Sequence, residues 1–258
     1  MNRISEIFRK KKPLILFTVA GYPDEETSER AISLAIRNGA DIIELGVPFS
    51  DPMADGPVIA SASQKTAAAG FGLKRVLALA ERLRGSHPET GLILFSYMNP
   101  LLHYGYENLC RDMARIGIDG ILPVDLPLEE RSELLEPCGR FGISLIPLVS
   151  PLTPPDRVSR IADRMSGFIY FVNVAGVTGA RKQLPPDLPR LIGEVKKRSE
   201  IPVASGFGIA DASTAAEAAR YADGVIAGSG FVKALEQSPE KAASLVRELA
   251  DGIASVPD

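Results

Sequence analysis

The sequence has little of what metal and thiol chemistry needs. Among 258 residues there are two histidines and two cysteines. His87 and His103 stand apart, so they offer no metal-ligand spacing. His103 follows the third apolar run and has no obvious serine or cysteine partner. Cys110 and Cys138 show no CxxC spacing and read as structural thiols in a reducing compartment. No apolar run approaches the ~20 residues of a membrane span. The first ten residues lack the apolar core of a signal peptide; Ile4, Ile7 and Phe8 there fit one face of a short helix. A cytoplasmic chain is the expectation. A basic excess is missing too. The net charge of −3 and pI near 5.6 argue against nucleic-acid or anionic-membrane surfaces. A GxxxxGK[ST] phosphate loop is absent, and GFGIAD (206–211) lacks the third glycine of a dinucleotide fingerprint.

What is present is regular. Near-continuous apolar runs recur as LILFTVA (14–20), DIIELGV (41–47), LILFSYM (92–98), GILPVDL (120–126), SLIPLVS (144–150), FIYFVNV (168–174), PVASGFG (202–208) and GVIAGSG (224–230). Such runs suit strands covered on both faces. Amphipathic helical patterns lie between them. Glu25 to Asn38 has Asp24 as N-cap and Gly39 beyond its end; Leu73 to Arg84 repeats the pattern; Ser238-Pro239 opens the last helix. NGADIIELGV, IGIDGILPVDL and YADGVIAGSG form a weak repeat whose aspartate is expected to tie down the helix-to-strand turn. Eight β-then-α units without a linker predict an α/β fold, a single-domain (β/α)8 barrel over 1–258 with a short N-terminal helix. A doubly wound sheet, with fewer strands, is the alternative.

One interval is abnormal. The run at 41 is followed by the next only at 92, so an extended loop follows strand two. A second extended loop, AGVTGARKQLPPDL (175–188), follows strand six and suits a mobile lid or an ordered connection. Barrel active sites are built from loops at the C-terminal strand ends. GFG (206–208) and GSG (228–230) end strands seven and eight, each ahead of an expected helix. They are either plain glycine turns or a phosphate site. Asp125 ends strand four and is either a structural hydrogen-bonder or a site residue.

Alternation along strand two puts Ile42, Glu44 and Gly46 on one face and Ile43 and Leu45 on the other. A carboxylate buried there needs a partner or a task. The runs carry no lysine or arginine, which disfavours a salt bridge. Desolvation would raise the pKa of Glu44 and fit it for proton transfer. Asp51, between Ser50 and Pro52, reads as a loop cap. Asp55 lies between Ala54 and Gly56, where the backbone can aim its carboxylate inward.

ELGVPFSDPMADGP (44–57) resembles the signature of the tryptophan synthase α subunit family. The resemblance continues in LFTVAGYPD (16–24), FSYMNPLLHYG (95–105), VDLPLEE (124–130), YFVNVAGVTGAR (170–181), SGFGI (205–209) and AGSGFVK (227–233), nearly the whole chain. It implies cleavage of indole-3-glycerol phosphate to indole and glyceraldehyde 3-phosphate. Carried over by position, Glu44 and Asp55 are catalytic. Gly179, Gly208, Gly228 and Ser229 bind phosphate. Phe17, Tyr97 and Phe207 form the indole pocket, Tyr170 lies near the glutamate, and Thr178 belongs to the lid. The family implies no metal and no cofactor in this chain. It implies a pyridoxal-phosphate-dependent β subunit as partner in an α2β2 hetero-tetramer. Met53, Asn173 and Gly230-Phe231 depart from its usual residues. Two other readings share these motifs: a stand-alone lyase releasing free indole, and a non-catalytic activating partner of a β subunit.

Overall fold

The computed structural model describes residues 3–172, 186–206 and 208–257. The apolar runs form β1 (Leu14–Val19), β2 (Ile42–Gly46), β3 (Gly91–Ser96), β4 (Gly120–Pro123), β5 (Ser144–Leu145), β6 (Leu148–Val149), β7 (Ile169–Val172), β8 (Val203–Gly206) and β9 (Gly224–Ala227). They pair in parallel in the order β5-β4-β3-β2-β1-β9-β8-β7-β6. The two ends of this order, β5 and β6, are halves of the single run 144–150. The sheet therefore closes on itself through that run, and the eight expected strand positions make a (β/α)8 barrel.

The fifth position is split by a proline. Pro147 has no N–H to give to a ladder. Ile146 N still donates to Ile121 O at 2.9 Å, and Pro147 O accepts from Tyr170 N at 2.9 Å. The seam thus stays closed with few bonds. Behind it lies a cavity of about 270 Å³ lined by Leu145, Ile146, Pro147, Leu148, Ile161 and Met165 among others.

The helices are α1 (Arg3–Lys10), α2 (Glu25–Arg37), α3 (Pro57–Ala68), α4 (Leu73–Ser86), α5 (Met98–Tyr104), α6 (Tyr106–Ile116), α7 (Ser132–Phe141), α8 (Pro155–Ala162), α9 (Leu188–Lys196), α10 (Ala212–Ala219), α11 (Ser229–Leu235) and α12 (Pro239–Ala254). Their starts follow local chemistry. Asp24 caps α2 by accepting from Thr27 N at 2.9 Å. Asp211 caps α10 in a capping box with Thr214, and Ser238 caps α12 by accepting from Lys241 N at 3.1 Å. The extended segment after β2 is mostly a helix, α3, opened by Pro57 at its first turn.

Strand alternation sorts the core into two parts. Ile15, Ile42, Ile93, Leu122, Ile146, Phe168, Tyr170, Ala204 and Ile226 pack inside the barrel, with Ile4 of α1 among them. Ile43, Leu45, Leu92, Leu94 and Ile121 face outward into the larger layer beneath the helices.

The repeated aspartates do a different job from the expected one. Asp41 Oδ2 accepts from Leu14 N at 3.1 Å, Asp119 Oδ2 from Leu92 N at 3.0 Å, and Asp223 Oδ2 from Val203 N at 2.9 Å. In return the three aspartate N–H groups donate to Leu14 O, Leu92 O and Val203 O. Each aspartate clasps the first or second residue of the neighbouring strand rather than its own turn. An N–H at the start of a strand needs such an acceptor, because burying one unpaired costs ~1–3 kcal/mol. Arg84 and Arg3 hold Asp119 as well, both at 2.9 Å.

Candidate active site

The barrel mouth is built by the last inward residue of each strand. Phe17 on β1 pairs in register with Glu44 on β2, which pairs with Ile93 on β3. Phe17 and Phe95 meet edge to face with centroids 4.7 Å apart. Glycine makes room for these rings. A Cβ on Gly46 would lie 2.8 Å from the Phe17 ring, and one on Gly206 2.7 Å from the Tyr170 ring and hydroxyl. Distances this short force one side to move.

The resulting cavity, about 190 Å³, is lined by Phe17, Ala54, Asp55, Ile59, Phe95, Val124, Tyr170, Val172, Gly208, Ile209, Ile226, Ala227, Gly228 and Ser229. Six expected site residues stand on its wall: Phe17, Asp55, Tyr170, Gly208, Gly228 and Ser229. Glu44 and Tyr97 do not line it. Glu44 is wholly buried in the barrel interior, and Tyr97 sits behind Asp55. Thr178, Gly179, Phe207 and Asn173 lie outside the described residues, as does the lid segment up to 185.

Glu44 is the electrostatic anomaly of the fold. Both its carboxylate oxygens are buried, with no hydrogen-bond partner among the described residues. Burial alone pushes its pKa up to about 8. A carboxyl here is neutral at pH 7 and can give a proton. Asp55 is raised less, to about 6: desolvation drives it up, and a hydrogen bond from Tyr97 pulls it down. The Tyr97 hydroxyl donates to Asp55 Oδ2 at 2.9 Å and accepts from Ala54 N at 2.9 Å. Phe49 stacks on the Tyr97 ring at 5.2 Å. Tyr97 thus fixes both the carboxylate and the turn that carries it. Tyr170 is raised well above its ordinary value, first by burial and then by Glu44 and Asp55. Its hydroxyl therefore stays protonated, within the field of both carboxyl groups.

The pair has the two environments that acid–base work requires. Between roughly pH 6 and 8, Asp55 is ionised while Glu44 keeps its proton. On the far wall, Gly208 takes a positive φ of 79°, and Gly228 and Ser229 open α11. A chain turn of this kind presents backbone N–H groups to an anion. Asp125 resolves to a structural part: its Oδ1 accepts from Met98 N at 2.8 Å and caps α5. Asp51 is exposed and bonded to Ser50. Among the described residues no cluster of three or more metal-ligating side chains occurs, and no helix is long and apolar enough to cross a membrane.

Sequence reasoning missed Phe95, Val124 and Val172. Each lies two residues beyond an inward residue of its own strand, so extending the alternation to the strand end would have found them. Ile59 and Ile209 carry no such signal, because they come from segments beyond the strand ends.

The chain matches the family model described as "Tryptophan synthase alpha chain" over residues 5–255. A tryptophan synthase alpha chain of Citrifermentans bemidjiense is 44% identical over 242 residues, 92% of this chain and 90% of that one. Among solved structures, a tryptophan synthase of Mycobacterium tuberculosis superposes with TM-score 0.91 at 36% identity, covering 98% of each chain. The tryptophan synthase subunit alpha of Legionella pneumophila str. Paris gives TM-score 0.91 at 32% identity, covering 99% of this chain and all of that one.

Proposed function

The chain belongs to the tryptophan synthase alpha chain family, and from that premise we propose how its own residues do the family's chemistry. It is a carbon–carbon lyase of tryptophan biosynthesis that cleaves indole-3-glycerol phosphate to indole and glyceraldehyde 3-phosphate. The observation that carries the residue assignment is the unlike pair of buried carboxyl groups, Asp55 on the wall of the mouth cavity and Glu44 in the interior, both acting on Tyr170.

An indole carbanion is a poor leaving group, so the ring must first gain a proton at C3. Glu44, neutral at pH 7, gives that proton, and positive charge spreads toward the ring N–H. Asp55, ionised, faces that N–H and stabilises the charge. The Glu44 carboxylate then takes the proton of the glycerol hydroxyl. The C–C bond breaks, its electrons return to the ring, and the hydroxyl carbon becomes the aldehyde. Glu44 ends protonated as it began. Such general acid–base steps contribute ~10²–10⁴-fold each. Phe17, Tyr97 and Phe207 flank the indole, with Tyr170 beside Glu44. Gly179, Gly208, Gly228 and Ser229 take the phosphate, and Thr178 closes over Asp55. The whole chain, 1–258, works as one domain.

The partner is a β chain, the tetramer is α2β2, and pyridoxal phosphate resides in β. Met53 (88% exposed), Leu102 (63%) and Leu152 (75%) support this reading. All three follow C-terminal strand ends, and exposed apolar residues grouped on one face favour a contact. The chain acts in the cytoplasm.

The test is indole release from indole-3-glycerol phosphate, with and without added β subunit. Activity of the isolated chain that Glu44→Gln removes, and that β raises, is expected. Full activity in Glu44→Gln would sink the assignment. A β-independent rate would favour a stand-alone lyase.

A further inference from the structure

The cysteines have a relation that their sequence spacing hides. Cys110 on α6 and Cys138 on α7 are both buried, and their sulfurs lie 3.7 Å apart. A disulfide needs about 2.05 Å, so closure requires the two sulfurs to approach by less than 2 Å. The residue before Cys138 is Pro137, inside α7. Proline there removes an i→i−4 hydrogen bond, which frees this turn to shift.

We infer that Cys110 and Cys138 are a two-electron redox site, oxidised by a small peroxide to an intramolecular disulfide that staples α6 to α7. The order of events follows from the contact. The two sulfurs share one S–H···S contact, which holds the Cys110 thiol below its ordinary value and Cys138 above. Cys110 therefore attacks first. Its S–O bond forms as the peroxide O–O bond breaks and one water leaves. Cys138 then attacks the Cys110 sulfur; the S–S bond forms, the S–O bond breaks and a second water leaves. Two thiols and one peroxide give one disulfide and two waters. Only a small oxidant suits, because both sulfurs are sealed from solvent.

The staple bridges the helices that follow β3 and β4. It closes a loop across a sequence separation of 28. A crosslink of that span restricts the unfolded chain and should raise the thermal midpoint by roughly 5–10 °C.

The experiment treats the native chain with hydrogen peroxide, then denatures and alkylates it. Expected are a mass lower by two hydrogens, no alkylation at either cysteine, one linked peptide joining residues 110 and 138, a raised thermal midpoint, and full reversal by dithiothreitol. Cys110→Ser and Cys138→Ser should each abolish the linked peptide. The wild-type mass measurement stands without them if either variant folds poorly. Two alkylatable thiols after treatment would overturn the inference. So would sulfinic acid on one cysteine without a linked peptide, links between chains only, or a crosslinked chain melting no higher than the reduced one.

Discussion

Replacing Tyr97 by Phe removes one oxygen and leaves the ring stacked on Phe49. That oxygen donates to Asp55 and accepts from Ala54 N. A hydrogen bond to a charged group contributes ~1.5–3 kcal/mol, or about 1–2 pH units on the acceptor's pKa. Asp55, held near 6 with the bond, should move to about 7–8 without it. Catalysis as assigned needs Asp55 ionised and Glu44, near 8, protonated. The wild-type profile of kcat/KM against pH should rise through about 6 and fall through about 8. In Tyr97→Phe the acid limb climbs toward the base limb. For a shifted value of about 7.5, the loss is about eightfold at pH 6.5 and only about 1.5-fold near pH 7.75. The assay is indole release at limiting substrate across pH 5.5 to 9.5, with circular dichroism to verify folding. An acid limb that stays in place, or a loss uniform across pH, would refute the argument and leave Tyr97 a packing residue.

Glu44→Gln should abolish cleavage yet stabilise the fold at alkaline pH. A carboxyl at about 8 when folded and at 4.5 in the ordinary state binds more protons folded than unfolded in between. Its neutral form therefore costs nothing below pH 4.5, and stability falls as pH rises to 8. Removing it should restore on the order of 3–5 kcal/mol above pH 8 and little at pH 4, measured by urea titration. Gly206→Ala should push the Tyr170 ring aside and lower kcat/KM by tenfold or more; unchanged kinetics would show that Tyr170 need not stay put. Met53→Asp should leave the stability of the isolated chain within about 0.5 kcal/mol. It should weaken β association by tenfold or more, because a charge desolvated without a partner costs several kcal/mol. Equal titration midpoints for wild type and variant would place Met53 outside the contact.

The fold was legible because each strand is covered on both faces, so its apolar run is continuous. The expected runs overshoot the strands mainly at their C-terminal ends: 14–20 against Leu14–Val19, and 120–126 against Gly120–Pro123. The overshoot comes from residues such as Val124, apolar for lining the mouth rather than for pairing. The split at Pro147 was written in the sequence, but a run of Leu, Ile and Val drowned it. Helices α3 and α5 were hidden for another reason. The first has few large apolar residues, burying Ile59, Ala62, Ser63 and Thr66, and the second is a short helix of Met98–Tyr104 capped from a distant strand end by Asp125. Glu44 could be singled out from alternation and from the lack of any basic residue in the runs. The part Tyr97 plays toward Asp55 could not, since their hydrogen bond spans 42 positions and no local pattern links them.

The seam at β5 and β6 has a consequence for where the barrel opens locally. Elsewhere around the ring, neighbouring strands share three to five paired positions, and three of the junctions carry an aspartate clasp. At the seam each half pairs through two positions, and a cleft of about 270 Å³ lies behind it. Local opening costs least where backbone hydrogen bonds and buried contacts are fewest. Backbone amides of 144–149 should therefore exchange with solvent before those of β1, β2 and β3, and the ring opens between its fourth and sixth strand positions while the Glu44 side keeps its register.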